Sequence, residues 1–135
     1  MKETDLKLAC TLPADAKRVF RALTDAKELS AWSGHKGKVE ARIGGKFEMF
    51  NGWTKGKVLA YQEGKALAYT WHTTDWAKEA TPSIVAYTLT PAARGTRVVL
   101  SHTGFPNEKE RNEHLEGWKQ HVFEPLKEYL RANKA

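Results

Sequence analysis

A single cysteine in 135 residues leaves Cys10 without an internal partner, so the chain can form neither an intramolecular disulfide nor a thiolate metal cluster. That scarcity agrees with a reducing compartment. Long apolar runs are also missing: none approaches the ~18 residues that a bilayer-spanning helix requires, and Met1 to Asp5 hold no apolar signal core. We therefore expect a cytoplasmic protein without membrane insertion. Equally absent are a serine nucleophile elbow, a glycine-rich phosphate loop and a dinucleotide fingerprint. The i, i+4 histidine pair of a helical zinc site is lacking too, since His114 and His121 stand seven apart. Motifs thus assign no catalytic residue, no metal and no organic cofactor.

Charge is plentiful and unbalanced, with 22 Lys and Arg against 16 Asp and Glu, a net charge of +6. An excess of that sign favours polyanionic partners in general. Its densest stretch, Lys36, Lys38, Arg42, Lys46, Lys55 and Lys57, is spread over successive strand-like segments and broken by Glu40 and Glu48. No helix-turn-helix, zinc finger or aromatic RNA-binding strand accompanies it, so a solvated sheet face is expected and nucleic acid is not an expected partner. A chain of this length suits one domain, residues 1–135, that buries roughly two-thirds of the surface its unfolded form exposes.

Leu6, Leu8, Cys10 and Leu12 alternate with Lys7, Ala9 and Thr11, the period of a half-buried strand, which makes Cys10 a small buried hydrophobe. Ala16, Val19, Phe20 and Leu23 then fall at i, i+3, i+4 and i+7, a helix with one apolar stripe and Pro13 expected in its first turn. Asp25 with Glu28 resembles a capping box for a second short helix through Leu29 to Trp32. Strands are expected over Lys38 to Ile43, Lys46 to Phe50 and Gly56 to Tyr61, bent at Gly44-Gly45, and again where Leu67, Tyr69 and Trp71 alternate. A polar loop from Thr73 to Pro82 leads to a strand marked by Val85, Tyr87 and Leu89, a turn over Pro91 to Gly95, and a last strand from Thr96 to Thr103.

Asn107 and Glu110 stand as N-cap and N3 of a closing helix of about 25 residues, roughly 37 Å long. Glu108 to His114 read as its polar first turns, and Leu115, Trp118, Val122, Leu126, Tyr129 and Leu130 as an apolar stripe that does the packing. Pro125 inside that stripe should bend the helix. No repeat, low-complexity tract or linker interrupts the pattern.

The order strand, two helices, six strands, long helix resembles the helix-grip fold of the birch pollen allergen and of START and polyketide cyclase domains. Pro13 before Val19-Phe20, Ala22-Leu23-Thr24-Asp25, Trp32, Gly44-Gly45-Lys46-Phe47, Gly56-Lys57-Val58, Trp71, Gly95-Thr96 and Gly117-Trp118 narrow the likeness. Over nearly the whole chain these are similar to the AHSA-type family, named for the activator of the heat-shock-protein-90 ATPase, within the START/SRPBCC superfamily. The resemblance implies an α+β fold, a curved antiparallel sheet of about six to seven strands wrapped around a long C-terminal helix, with two short helices after strand one. Many stand-alone members look like small-molecule or lipid binders, and no family catalytic residue carries over. Eukaryotic co-chaperones of this type add a separate N-terminal domain, for which 135 residues have no room.

A helix gripped by a curved sheet tends to leave a cavity, and the inward aromatic residues supply candidate walls. Phe47, Trp53, Tyr69, Trp71, His102, Trp118, Val122 and Leu126 are the candidate ligand-binding residues, with Tyr129 as a further wall and Asp75 and Trp76 at a possible mouth. The same residues equally fill a core. His102 shares the inward phase of Val98 and Leu100; a histidine satisfied within the core explains it, and contact with a ligand or general acid–base work is the sharper reading. The leading functional expectation is binding of a small hydrophobic or aromatic molecule, lipid or polyketide-like. One alternative is an interaction module that modulates a heat-shock chaperone ATPase through Lys36, Lys38 and Lys46. Another is a cyclase-like or hydrolytic enzyme using His102.

Overall fold

Alternating apolar side chains on successive strands need one shared apolar neighbour, and the computed structural model, which describes residues 5–133, provides it as a curved sheet closed by helices. Met1 to Thr4, where the reading of the N-terminus began, lie outside the described residues. Strand β1 (Leu6–Leu12) leads into α1 (Ala16–Thr24) and α2 (Ala26–Ser33). Then come β2 (Lys38–Val39), β3 (Lys46–Met49), β4 (Thr54–Gln62), β5 (Ala66–Thr73), β6 (Ser83–Ala92) and β7 (Gly95–Thr103). Helix α3 (Glu108–Gly117), a π-helical segment (Trp118–Phe123) and α4 (Glu124–Ala132) close the chain. The strands pair antiparallel in the order β1-β7-β6-β5-β4-β3-β2. This is the expected α+β helix-grip architecture, with seven strands among the described residues.

The inward phase of β5 to β7 is buried throughout: Leu67, Tyr69 and Trp71, then Val85, Tyr87 and Leu89, then Val98, Leu100 and His102. Opposite them the closing helix buries Trp118, Val122, Leu126 and Leu130. These four recur every fourth residue, and each such step turns roughly 40° past one full turn of a 3.6-residue helix. An unbroken α-helix would therefore carry Trp118 and Leu130 to different faces. The π-helical segment takes up the excess, and Glu124 N–H closes it on the carbonyl of Lys119, five residues back. Pro125 follows, a residue with no N–H to place as the chain returns to α geometry. The irregularity expected at Pro125 thus falls in the turn before it.

Four expectations are corrected. The strand foreseen over Lys38 to Ile43 ends at Val39, because Glu40 Oε1 accepts Lys46 N–H at 2.6 Å and Gly45 N–H bonds Arg42 C=O, which turns the chain back at once. Pro13 precedes the first helix; Asp15 caps it by accepting Arg18 N–H at 2.8 Å. Pro91 stays in β6, paired with Thr96, and the turn is confined to the residues between Ala92 and Gly95. His114, read with the polar first turns that leave the packing to the second half, is buried.

Glu28 fastens the helices together. Asp25 caps α2 through Lys27 and Glu28 N–H, as the capping-box reading requires, yet the Glu28 side chain points elsewhere. Its Oε1 takes Arg18 Nη1 of α1 and the Tyr129 hydroxyl of α4, the latter at 2.8 Å, while Oε2 takes Arg21 Nε at 2.9 Å. Arg18 is only 7% exposed and lies over the Tyr129 ring. Glu28→Ala leaves that guanidinium buried without its counter-charge, and chemical denaturation should report a loss of about 3 kcal/mol, more than a surface ion pair yields.

Candidate functional site

A cleft of about 510 Å³ runs along the middle of the closing helix, lined on that side by residues between Glu110 and Val122. Its floor is aromatic: Trp71 from β5, Trp118 from the π-helical segment, and Trp53 from the β3–β4 turn. Phe50, from the same turn, and His35, just past α2, form one wall; Gly117, Gln120, His121 and Val122 form the other. Asp75 sits at the mouth, and Glu110, Glu113 and Glu116 run along the helix rim.

The β3–β4 turn is built to hold its aromatic residues still. Phe50 and Asn51 both adopt left-handed backbone, φ 55° and 59°, which is uncommon for a bulky side chain. Asn51 braces the strained turn by exchanging bonds with Lys36, N–H to carbonyl at 3.0 Å and Lys36 N–H to Oδ1 at 2.8 Å. Trp53 Nε1 donates to Asp75 Oδ2 at 2.7 Å, and its ring stacks on His114 at 5.9 Å and 24°.

Two histidines adjoin the floor, His114 lining the cleft and His102 in the core behind it, and their bonding fixes their protonation. An indole can only donate, so Trp118 Nε1, 3.0 Å from His102 Nδ1, requires that nitrogen to be bare. The proton then sits on Nε2, which donates to Ser83 Oγ at 2.7 Å, and Ser83 donates onward to the Trp71 carbonyl at 3.0 Å. Trp71 Nε1 likewise donates to His114 Nε2 at 3.1 Å, leaving His114 Nδ1–H for the Glu110 carbonyl at 2.9 Å. Burial, with His114 nearby, pushes His102 down to about 2; burial also lowers His114, against the pull of Glu110 and Glu113. Both imidazoles are neutral.

Of the candidate residues, Trp53, Trp71, Trp118 and Val122 meet at the cleft. Phe47, Tyr69, His102 and Leu126 belong to the core behind it: Phe47 stacks on Tyr69 at 3.6 Å, and His102 has no exposed surface and both nitrogens engaged. Tyr129 is occupied with Glu28, far along the helix. Trp76 is buried, donating to Glu110 Oε1 at 2.7 Å, while Asp75 does reach the mouth. Every tryptophan N–H is spent within the protein, Trp32 on Ala22 C=O included. The floor therefore offers a ligand no free indole donor. His35, Phe50, His114 and the rim glutamates escaped the sequence reading, although Gly117 inside a helix was a visible signal.

Residues 13–131 match the model of the family described as Activator of Hsp90 ATPase homolog 1-like protein. The chain belongs to this family. Among solved structures with this AHSA-type fold, protein MLL2253 from Mesorhizobium loti is 26% identical, with a TM-score of 0.83 over 97% of this chain and 99% of that one. PFC0360w, an HSP90 activator from Plasmodium falciparum, is 24% identical with a TM-score of 0.82, covering 94% and 96%. CalU16 from Micromonospora echinospora is 22% identical with a TM-score of 0.78, covering 93% and 75%. A curated relative, uncharacterized protein C1711.08 of Schizosaccharomyces pombe, is 29% identical over 72 residues, 53% of this chain, and the match spans about a fifth (21%) of that protein. No helix among the described residues is long and apolar enough to cross a membrane, and no group of side chains there is arranged to hold a metal ion.

The two neutral histidines make stability depend on acid. Unfolding releases each to an ordinary value near 6.5, so below that pH the unfolded chain binds protons that the folded one refuses, and stability falls as pH falls. His102 contributes this slope from about 6.5 down towards its folded value of about 2. Denaturation midpoints between pH 7.5 and 5 should give an uptake of up to two protons, each about 1.4 kcal/mol per pH unit at the limit. His102→Asn, which cannot titrate, should remove about one of them.

Proposed function

We propose that the chain binds a small, largely apolar molecule in the cleft between its closing helix and the β3–β4 turn. The observation that carries this reading is Gly117. Its backbone is helical, φ −60° and ψ −43°, yet glycine inside a helix costs roughly 1 kcal/mol relative to alanine. A Cβ built there meets nothing within 4 Å, so close packing does not demand glycine. The position lines the cleft, and what its missing side chain preserves is space. The aromatic floor and a volume within the ordinary range of small-molecule sites support the same reading.

Two substitutions separate this from a merely structural glycine. Gly117→Ala should raise stability by roughly 0.5–1 kcal/mol. Gly117→Leu should keep the fold while filling the cleft. In an amide-shift NMR titration against fatty acids, sterols, flavonoids and aromatic amines, the native chain should show saturable shifts around Trp53, Trp71 and Trp118, and the leucine variant should show none. Shifts that survive in the leucine variant would place the ligand elsewhere.

A second reading, a docking face for a chaperone of the Hsp90 type, draws on the family and on one observation. Lys46 stands directly opposite Lys57 across β3 and β4, a like-charge pair that works against the sheet and suits an acidic partner. Lys46→Glu with Lys57→Glu should abolish chaperone binding by calorimetry and spare the cleft; undiminished binding counts against this face.

A further inference from the structure

The charge around the cleft is opposite in sign to that of the chain. Its lining includes Asp75, Glu110, Glu113 and Glu116 and neither lysine nor arginine, although the sequence holds 22 Lys and Arg against 16 Asp and Glu. Granting the reading above, that this cleft holds a small molecule, we infer that the molecule carries a positively charged nitrogen, an amine or quaternary ammonium, on an aromatic or aliphatic body.

The floor favours such a ligand independently of the rim. The indole N–H groups of Trp53, Trp71 and Trp118 donate to Asp75, His114 and His102, so a carboxylate or phosphate entering the cleft finds none of them. Trp71 and Trp118 are each only 2% exposed, so what remains for a ligand is chiefly the π surface of the half-buried Trp53 and Phe50, which attracts a cation and is indifferent to a neutral body. His114 adds no positive charge, because its Nε2 lone pair receives Trp71 N–H and its other nitrogen faces a carbonyl. His35 and His121 stand at the rim.

The carboxylates differ in how they are held. Asp75 and Glu110 are each oriented by an indole bond of 2.7 Å to one oxygen, which leaves further lone pairs for a second donor. Glu113 is exposed on α3, and Glu116 is 3.9 Å from Lys119, a pair of exposed side chains with little mutual hold. An anionic ligand would face all four. A cationic head at the mouth meets them while its body rests on the floor.

A shape-matched series tests the sign: 2-naphthylmethylamine, 2-naphthylmethanol and 2-naphthoate, titrated into the full chain at pH 7.5 and low salt, with affinities read from amide shifts. The native protein, Gly117→Leu and a Glu113→Gln, Glu116→Gln double variant are compared. The amine should bind at least about tenfold more tightly than the alcohol, with the naphthoate weakest. The double variant should weaken the amine by about three- to tenfold and leave the alcohol unchanged, and added salt should weaken only the amine. If the alcohol or the naphthoate binds as tightly as the amine, with cleft shifts that Gly117→Leu abolishes, the charge inference falls and the cleft reading stands. If no member of the series produces saturable shifts in the cleft, both fall.

Discussion

The bond from Trp118 to His102 is the contact on which the rest of the arrangement depends. Apolar burial presses the closing helix onto the sheet but is indifferent to a slide of one residue, since it counts area and not direction. A buried indole N–H and an imidazole are not indifferent. Left unmatched, each costs of order 1–3 kcal/mol, so a single register satisfies them together. The bonding runs from Trp118 on the helix to His102 on β7, on to Ser83 on β6 and the carbonyl of Trp71 on β5. The Trp71 indole then returns to the helix at His114. Three strands and one helix are joined in a closed polar circuit inside an aromatic core.

That circuit also determines what the cleft is made of. Holding the indole nitrogens inward leaves Trp71 and Trp118, each 2% exposed, with no donor for the cleft, and keeps both histidines neutral. The polar first turns of α3 have no apolar stripe to draw them onto the sheet, so the helix is seated by its second half and by His114. The cleft lies beside the junction between the two halves, from Glu110 to Val122.

Strand phase was legible in the sequence; depth was not. Alternation placed Tyr69, Trp71 and His102 inward, and they are inward. It said nothing of whether an inward residue meets the helix or the gap, which depends on where along its length the helix touches. Phe47 and Trp53 read alike as aromatic candidates, yet one is 1% exposed against Tyr69 and the other lines the cleft. His114 escaped because hydropathy counts histidine as polar, and only an indole across the core makes its burial affordable. The π-helical segment left a trace, Trp118, Val122, Leu126 and Leu130 at strict fourth positions, that a search for 3.6-residue periodicity absorbs without notice. The short β2 was hidden for a local reason, a glutamate side chain competing for a strand N–H.

Apart from the like-charged Lys46–Lys57 pair, the places where local preference and global fold conflict gather at the cleft. Gly117 weakens its helix, the π-helical segment departs from α geometry directly after it, and Phe50 is held in left-handed backbone across the gap. Elsewhere the caps, the strand phases and the turns agree with the fold they form. The demands of the core account for the π-helical segment, which restores the phase of the buried stripe. They account in part for Phe50, which packs against the edge of the core, but not for Gly117, whose absent side chain would touch nothing. That a costly glycine and a left-handed phenylalanine both line the same cleft is the physical reason to look for the function there and not among the more numerous aromatic residues behind it.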